Sequence, residues 1–580
     1  MSAFAGVFFR KTALDQIQQW APRLRQALVA SGAKRAPYEL TNDCAFILKH
    51  DTGAYSSRAD AVTASGAIAV LAGHPYVDTI ASPDRLLHLG AIVSHIEAAD
   101  TPFLAHCSGT YSLAHVDAHS RRLTLAADCL GVRPLYYLAD SQKVLFSTTM
   151  AFFEWLGEVD LAPDERGMVE KSVLGFGLAD RTQYRHIKCL SESQAIAFDA
   201  NSAVSTRYWR WDGTVHRNLS PADSRKQVFD SFLEATRIRL ATDTRVMAFL
   251  TGGLDSRCVV AALRLCNAAV NTMNFAPENS QDLVFGQQMA AGLQTNHLQL
   301  PMPIALVASK IATVMPQWQA STSAQHLSAE HPNLVWSGDG GSVGLGHVYL
   351  TDAMIDLMEA GCEEEAVQLL LADSTWIVPK GVLRRERARA LANYPLEGML
   401  QALADIRCDD RGRALHILLM ITDQRRHLFE HFERIYEHDC EMQLPFFDRE
   451  FLLSVLRQPV RPHIGHRFYN EWLKLFQPTL LQIPWQAYRG HEPCPVPVPG
   501  NLSYQWSAQP GRSEANAARR AAGARTLGQI FGGVYRASAV SEVKLGLVSL
   551  ATWSGLRDYR YALEFAESMR LHPSALRTRN

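Results

Sequence analysis

Short apolar runs broken by polar turn clusters dominate the first part of the chain. Runs such as Cys44–Lys49, Ala67–Ala72, Leu123–Ala127 and Val144–Ser147 are separated by turn clusters, Asp51-Thr52-Gly53 and Asp140-Ser141 among them. They predict short strands. Asp15–Ala30 and the stretch around Arg85–Ala98 predict helices between them. Residues 1–211 therefore read as a β-rich layered domain with some helix. After Tyr208-Trp209-Arg210-Trp211 the chain is polar from Asp212 to Pro221 and reads as a linker. Ser220 is placed to cap a helix near Asp223–Ala241. The pattern then changes to strand, glycine turn, helix. Val246–Leu250, Val270–Phe275 and His297–Leu300 predict strands, and Asp255–Leu265 and Asp282–Leu293 predict helices. That alternation argues a parallel α/β sheet in a second domain over residues 220–580. From about Ala353 the chain is mainly helical, and Pro493–Pro499 is a proline-rich loop.

At 580 residues the chain exceeds a single hydrophobic core. A net charge of −1 gives no overall attraction for nucleic acid or a membrane surface. The segment Asn501–Asn580 differs, with 11 Lys plus Arg against 5 Asp plus Glu. It reads either as a solvated basic face or as a docking surface for an acidic partner. No window approaches the ~20 apolar residues of a membrane span, and Met1–Arg10 lacks the pattern of a signal peptide. The ten cysteines include no Cys-x-x-Cys pair, which fits reduced thiols in a cytoplasm.

The strongest chemical signal is Leu250-Thr251-Gly252-Gly253-Leu254-Asp255-Ser256 between a strand and a helix. Two glycines allow a sharp turn and close approach of a ligand to the backbone. The following helix offers free N–H groups and its positive end to phosphate oxygens. Thr251 and Ser256 add hydroxyl donors, and Asp255 suits Mg²⁺ held jointly with phosphates. No Gly-Lys-Ser/Thr ending follows, so this is not a Walker A loop.

Thr-Gly-Gly-Leu-Asp-Ser resembles the pyrophosphate loop of N-type ATP pyrophosphatases, which cleave ATP between its α and β phosphates and adenylate an acceptor. Three further stretches resemble the asparagine synthetase branch, in its order: Ser280-Gln281-Asp282 with Leu293 and His297; Ser337-Gly338-Asp339-Gly340-Gly341-Ser342-Val343-Gly344-Leu345-Gly346; and Glu441-Met442-Gln443-Leu444-Pro445-Phe446-Phe447-Asp448. Asp128-Cys129-Leu130-Gly131-Val132-Arg133-Pro134-Leu135-Tyr136 is similar to a segment of class II glutamine amidotransferases. The resemblance implies a class II glutaminase-like β-sandwich domain, followed by a parallel α/β ATP pyrophosphatase domain with a helical extension. It implies ATP and Mg²⁺ as cofactors. Leu250 to Ser256, Asn274 and Gly338 would bind ATP, and Asp255 would bind the metal.

The chain also departs from the family. Class II glutaminases use a cysteine at position 2, whereas here Ser2 and Ala3 follow Met1, and Leu71-Ala72-Gly73-His74-Pro75 stands at the expected oxyanion loop. The reading is an inactive glutaminase, with Ser2 as a hydroxyl nucleophile the sharper alternative. In the second glycine loop the metal-binding aspartate position falls on Ser342 and the next glutamate on Val343. Gln486 stands near the position of the family's catalytic lysine, with Lys474, Arg489 and His491 as nearby substitutes. Glu441, with Asp339, is the candidate general base; a structural salt bridge is the plain alternative for Glu441.

Without glutaminase the amine must come from elsewhere, and the substrate itself can supply it. Ile483-Pro484-Trp485-Gln486-Ala487-Tyr488-Arg489-Gly490-His491-Glu492-Pro493-Cys494-Pro495 is similar to a stretch of lasso peptide cyclases, though an ordinary proline-stiffened connection is the bland alternative. The resemblance implies macrolactam formation in a precursor peptide. An Asp or Glu side chain would be adenylated, and the peptide's N-terminal amine would close the ring. A leader peptidase and a leader-binding protein are the implied partners. An asparagine synthetase-like or β-lactam synthetase-like ligase acting on a small molecule is the alternative.

Overall fold

The computed structural model describes all residues except 1, 12–13, 34–35, 56, 64–65, 158, 215–218, 303–313, 319, 321–328, 375–376, 505–511, 537 and 571–580. Part of the expected Asp212–Pro221 linker thus lies outside the described residues. The N-terminal region holds two six-stranded antiparallel sheets. The first runs in the order Lys188–Cys189, Tyr136–Ala139, Lys143–Ser147, Ser2–Phe9, Ala45–Asp51, Tyr38–Thr41. The second runs Ala203–Arg207, Gln194–Phe198, Arg122–Ala127, Tyr111–Asp117, Ile68–Gly73, Asp60–Val62.

Period-two alternation explains the layering. Phe4 and Phe8 point between the sheets with Val70, Leu125 and Phe146, whereas Ala5, Val7 and Phe9 point to the outer face under the helix Leu14–Ala30. On the outer face of the second sheet, Leu89, Ile92 and Ile96 of the helix Arg85–Glu97 cover Leu71 and Leu113. Asp84 caps that helix by accepting from Leu86 N. The strands are apolar on both faces because both faces are covered.

The second region begins with the helix Pro221–Leu240, capped by Ser220 as expected. It is built on a five-stranded parallel sheet in the order Asn296–Pro301, Ala269–Ala276, Arg245–Phe249, Leu334–Trp336, Glu441–Gln443. The first three strands were legible in the sequence. The last two are three residues each, too short to show a period. They lie on the other side of Arg245–Phe249, so strand order reverses there. Ligands of open α/β sheets bind at the carboxyl ends of strands flanking such a reversal.

The two regions share one hydrophobic core running from Ala3 to Trp485. Buried polar contacts cross the boundary: Arg133 donates to Glu441 at 2.7 Å, and Ser108 to Asp448 Oδ2 at 2.9 Å, an oxygen that Arg239 of the second region also meets at 2.8 Å. No helix among the described residues is long and apolar enough to cross a membrane.

Candidate active site

The loop Leu250–Gly253 leaves the carboxyl end of Arg245–Phe249 and enters the helix Leu254–Leu265. Gly253 is the cap residue of that helix and no side chain caps it. The first-turn N–H groups are thus left for a ligand. The loop is braced from within. Thr251 N and Oγ1 each lie 3.0 Å from Ser256 Oγ, and Gly253 N donates to Thr251 Oγ1 at 3.2 Å. Leu250 N donates to Met273 O.

Asp282 accepts from Gly252 N at 2.7 Å, fixing the turn from the helix Gln281–Gly292. A Cβ on Gly252 would lie 2.8 Å from the Asp282 Cα, so glycine is required for that approach. Asn274, expected to bind ATP, is fully buried, and its Nδ2 donates to Asp282 O at 2.7 Å. It positions Asp282, and through it Gly252.

The second glycine loop follows Leu334–Trp336 and locks against the first. A Cβ on Gly338 would lie 2.5 Å from Ser256 N, and one on Gly341 would lie 2.6 Å from Asp255 Cγ. Ser342 donates to Asp255 Oδ2 from both N (2.9 Å) and Oγ (2.7 Å), and the Tyr469 hydroxyl donates to Oδ1 at 2.7 Å. Desolvation pushes the Asp255 carboxyl up to about 6, and the nearby Asp339 adds to the rise. Among the described residues, no Lys, Arg or His is ion-paired with it. A half-buried carboxylate with no ion-pair partner among the described residues fits a cation brought by the ligand. No group of three or more metal-ligating side chains occurs among the described residues. Mg²⁺ here would be held by Asp255 together with substrate phosphates and water, its usual mode, and would supply charge neutralisation.

Arg257 ties the loop to the segment singled out in the sequence. Fully buried, it donates from Nε to Gly253 O (3.1 Å), from Nη1 to Leu480 O and Ile483 O (both 3.0 Å), and from Nη2 to Pro484 O (2.9 Å). Gln486 N donates to Gly252 O at 3.1 Å, and Trp485 N donates to Cys494 Sγ at 3.4 Å. Further along, the Tyr488 hydroxyl donates to Ser342 Oγ at 3.3 Å. His491 Nδ1 lies 2.6 Å from Nδ1 of His466, an imidazole that burial pushes down to about 3. The stretch Ile483–Cys494 thus touches both glycine loops and is no ordinary surface connection.

The structure does not bring every candidate to this place. Glu441 opens the strand Glu441–Gln443 and pairs in register with Leu334, two residues before the strand's carboxyl end, roughly 7 Å lower. It is fully buried and ion-paired with Arg133 of the N-terminal region. That is the salt-bridge arrangement rather than the one expected of a base beside Asp339. Lys474 is exposed and paired with Glu471 at 2.5 Å, and Arg489 is exposed. Asp339, half-buried in the second loop, accepts from Ser337 Oγ. Tyr469 and His466 escaped the sequence reading. They come from the short helix Arg467–Leu473 and the turn before it, which carry no phosphate-loop pattern.

Two family models match parts of the chain. Residues 91–209 match the glutamine amidotransferase domain model, and residues 227–331 match the asparagine synthase model. The chain is 28% identical over 190 residues to asparagine synthetase [glutamine-hydrolyzing] 3 of Bacillus subtilis, covering 33% of this chain and 30% of that one. It is 26% identical over 162 residues to putative asparagine synthetase [glutamine-hydrolyzing] 2 of Methanocaldococcus jannaschii, covering 27% and 31%. The chain therefore spans under a third of the length of these relatives. Among solved structures, the glutamine phosphoribosylpyrophosphate amidotransferase of B. subtilis overlaps at TM-score 0.25 and 10% identity, over 51% of this chain and 90% of that one. That likeness is too slight to bear on the fold.

Proposed function

We propose that this chain is an ATP-dependent carbon–nitrogen ligase forming AMP and diphosphate, and that it closes a macrolactam ring in a lasso precursor peptide. The observation that carries the reading is the uncapped helix end beside Asp255, at the strand reversal, with Ile483–Cys494 laid across both glycine loops. The backbone of Thr251 to Ser256 would receive the phosphates. The peptide's Asp or Glu carboxylate oxygen would bond to the α-phosphorus as diphosphate leaves. The N-terminal amine would then bond to the acyl carbon as AMP leaves, giving up a proton. Asp339, with Asp255 engaged by the metal, would take that proton. The main contribution of the protein is proximity.

An inactive N-terminal domain supports an amine supplied by the substrate. Its strand Ser2–Phe9 contains no cysteine. Burial pushes the thiols of that domain up, Cys44 and Cys189 to about 11 and Cys107 to about 12. A thiolate nucleophile needs the reverse. A leader peptidase and a leader-binding protein would deliver the peptide. The names of the relatives, asparagine synthetases, favour a second reading, amide formation on a small acid.

Purified chain with Mg²⁺, ATP and a leaderless peptide bearing a free N-terminus and an internal acidic residue should give AMP and a product lighter by one water. Acetylating the N-terminus should abolish closure but leave pyrophosphate exchange. Turnover of ammonia with a small acid, and of no peptide, would establish the second reading instead.

A further inference from the structure

The helix Glu542–Ser554 is built inside out. Val543, Leu547 and Leu550 share one stripe by their spacing, and they are 76, 66 and 48% exposed. Trp553, in the last turn, and Leu556, past the helix end, extend it. The opposite, fully buried stripe is Leu545, Ser549 and Thr552. The two hydroxyls donate back to Leu545 O (2.7 Å) and Val548 O (2.8 Å) of their own helix. A helix that met only its own domain would carry the reverse pattern. Exposed apolar clusters of this kind mark interaction sites.

The flank is basic. The helix Arg512–Phe531 crosses closely at Gly523, where a Cβ would lie 2.7 Å from Ser549 O and 2.8 Å from Trp553 Cβ. On it, Arg519 Nη2 would lie 3.4 Å from a Cβ on Gly555, which places the guanidinium beside the end of the stripe. Arg520 and, beyond Leu556, Arg557 are exposed. The neighbouring Asp558 is engaged by Arg560 at 2.7 Å and also feels the charge of Arg519, whose Nη2 donates to Asn516 Oδ1.

We propose that this surface docks an acidic amphipathic helix of another protein. Its apolar side chains would lie on Val543, Leu547 and Leu550, and its carboxylates would face Arg519, Arg520 and Arg557. Charge decides against a second copy, since a two-fold contact sets the same arginines against each other. Width decides against a bilayer, because the stripe is one helix wide and a membrane surface calls for a broader apolar plane.

The probe is a fluorescein-labelled Leu/Glu peptide of about five helical turns, followed by anisotropy with the full-length chain. It should bind at least ~10-fold more tightly than a scrambled peptide of the same composition or a Leu/Lys version, and more weakly in high salt. Leu547→Gln with Leu550→Gln, and separately Arg519→Gln with Arg520→Gln, should each weaken binding at least ~10-fold. All four side chains are exposed or half-exposed, so melting temperature and pyrophosphate exchange should not change. Equal binding of the scrambled or lysine peptide overturns the proposal. So does a dimer in light scattering that Leu547→Gln disperses, or binding to phosphatidylserine vesicles as tight as to the acidic peptide.

Discussion

Replacing Asp255 with asparagine should stabilise the fold while disabling it. The Asp255 carboxyl rises from an ordinary 3.8 to about 6 in the folded chain, net of the three hydrogen bonds from Ser342 and Tyr469. One pKa unit corresponds to about 1.4 kcal/mol, so ionising this carboxyl costs the folded state up to ~3 kcal/mol. The residue keeps some solvent contact, and screening brings the working figure to about 2 kcal/mol. For an acid whose folded pKa is raised, the cost is absent below pH 3.8, grows between 3.8 and about 6, and is complete above. Asparagine is isosteric. Its oxygen still accepts from Ser342, and its amide can donate to the Tyr469 oxygen. Asp255→Asn should therefore melt a few degrees higher than the parent at pH 7.5, with a clearly smaller gain at pH 5. Mg²⁺ and ATP should raise the melting temperature of the parent and not of the variant, and pyrophosphate exchange should fall at least ~100-fold. Thermal unfolding at both pH values, with and without nucleotide, tests this. A variant less stable at pH 7.5, or an offset equal at both pH values, would refute the argument.

Arg257→Lys keeps a positive charge but cannot reach all four carbonyls, so we expect a loss of about 2 kcal/mol in stability and a raised KM for ATP; an unchanged KM would detach Arg257 from the site. Glu441→Gln and Arg133→Met should each destabilise by about 3 kcal/mol, since each leaves a buried partner behind. Both should depress exchange and ring closure equally, and selective loss of closure in Glu441→Gln would restore Glu441 as the base. Glutamine should yield no glutamate above background with or without ATP, measured by a coupled glutamate assay; release of ammonia would show the N-terminal domain active.

Local pattern was enough for everything that repeats along the chain. Short apolar runs between turn clusters marked the strands, and the helix cap Ser220 marked the entry to the second region. The strand–glycine–helix order of Leu250–Ser256 marked the phosphate loop, because that chemistry needs contiguous backbone. What the sequence could not order were groups brought together from afar. The strands Leu334–Trp336 and Glu441–Gln443 are too short to carry a period, so the strand reversal that seats the site was invisible. Tyr469 reaches Asp255 across more than 200 positions of chain, and Arg257 meets Leu480, Ile483 and Pro484 at a similar separation. Glu441 shows the converse: its place in a familiar stretch suggested chemistry, and the packing of the N-terminal region instead set Arg133 against it. Local propensity fixes which backbone groups point outward, whereas the partner of a buried charge is decided by whichever distant element closes over it.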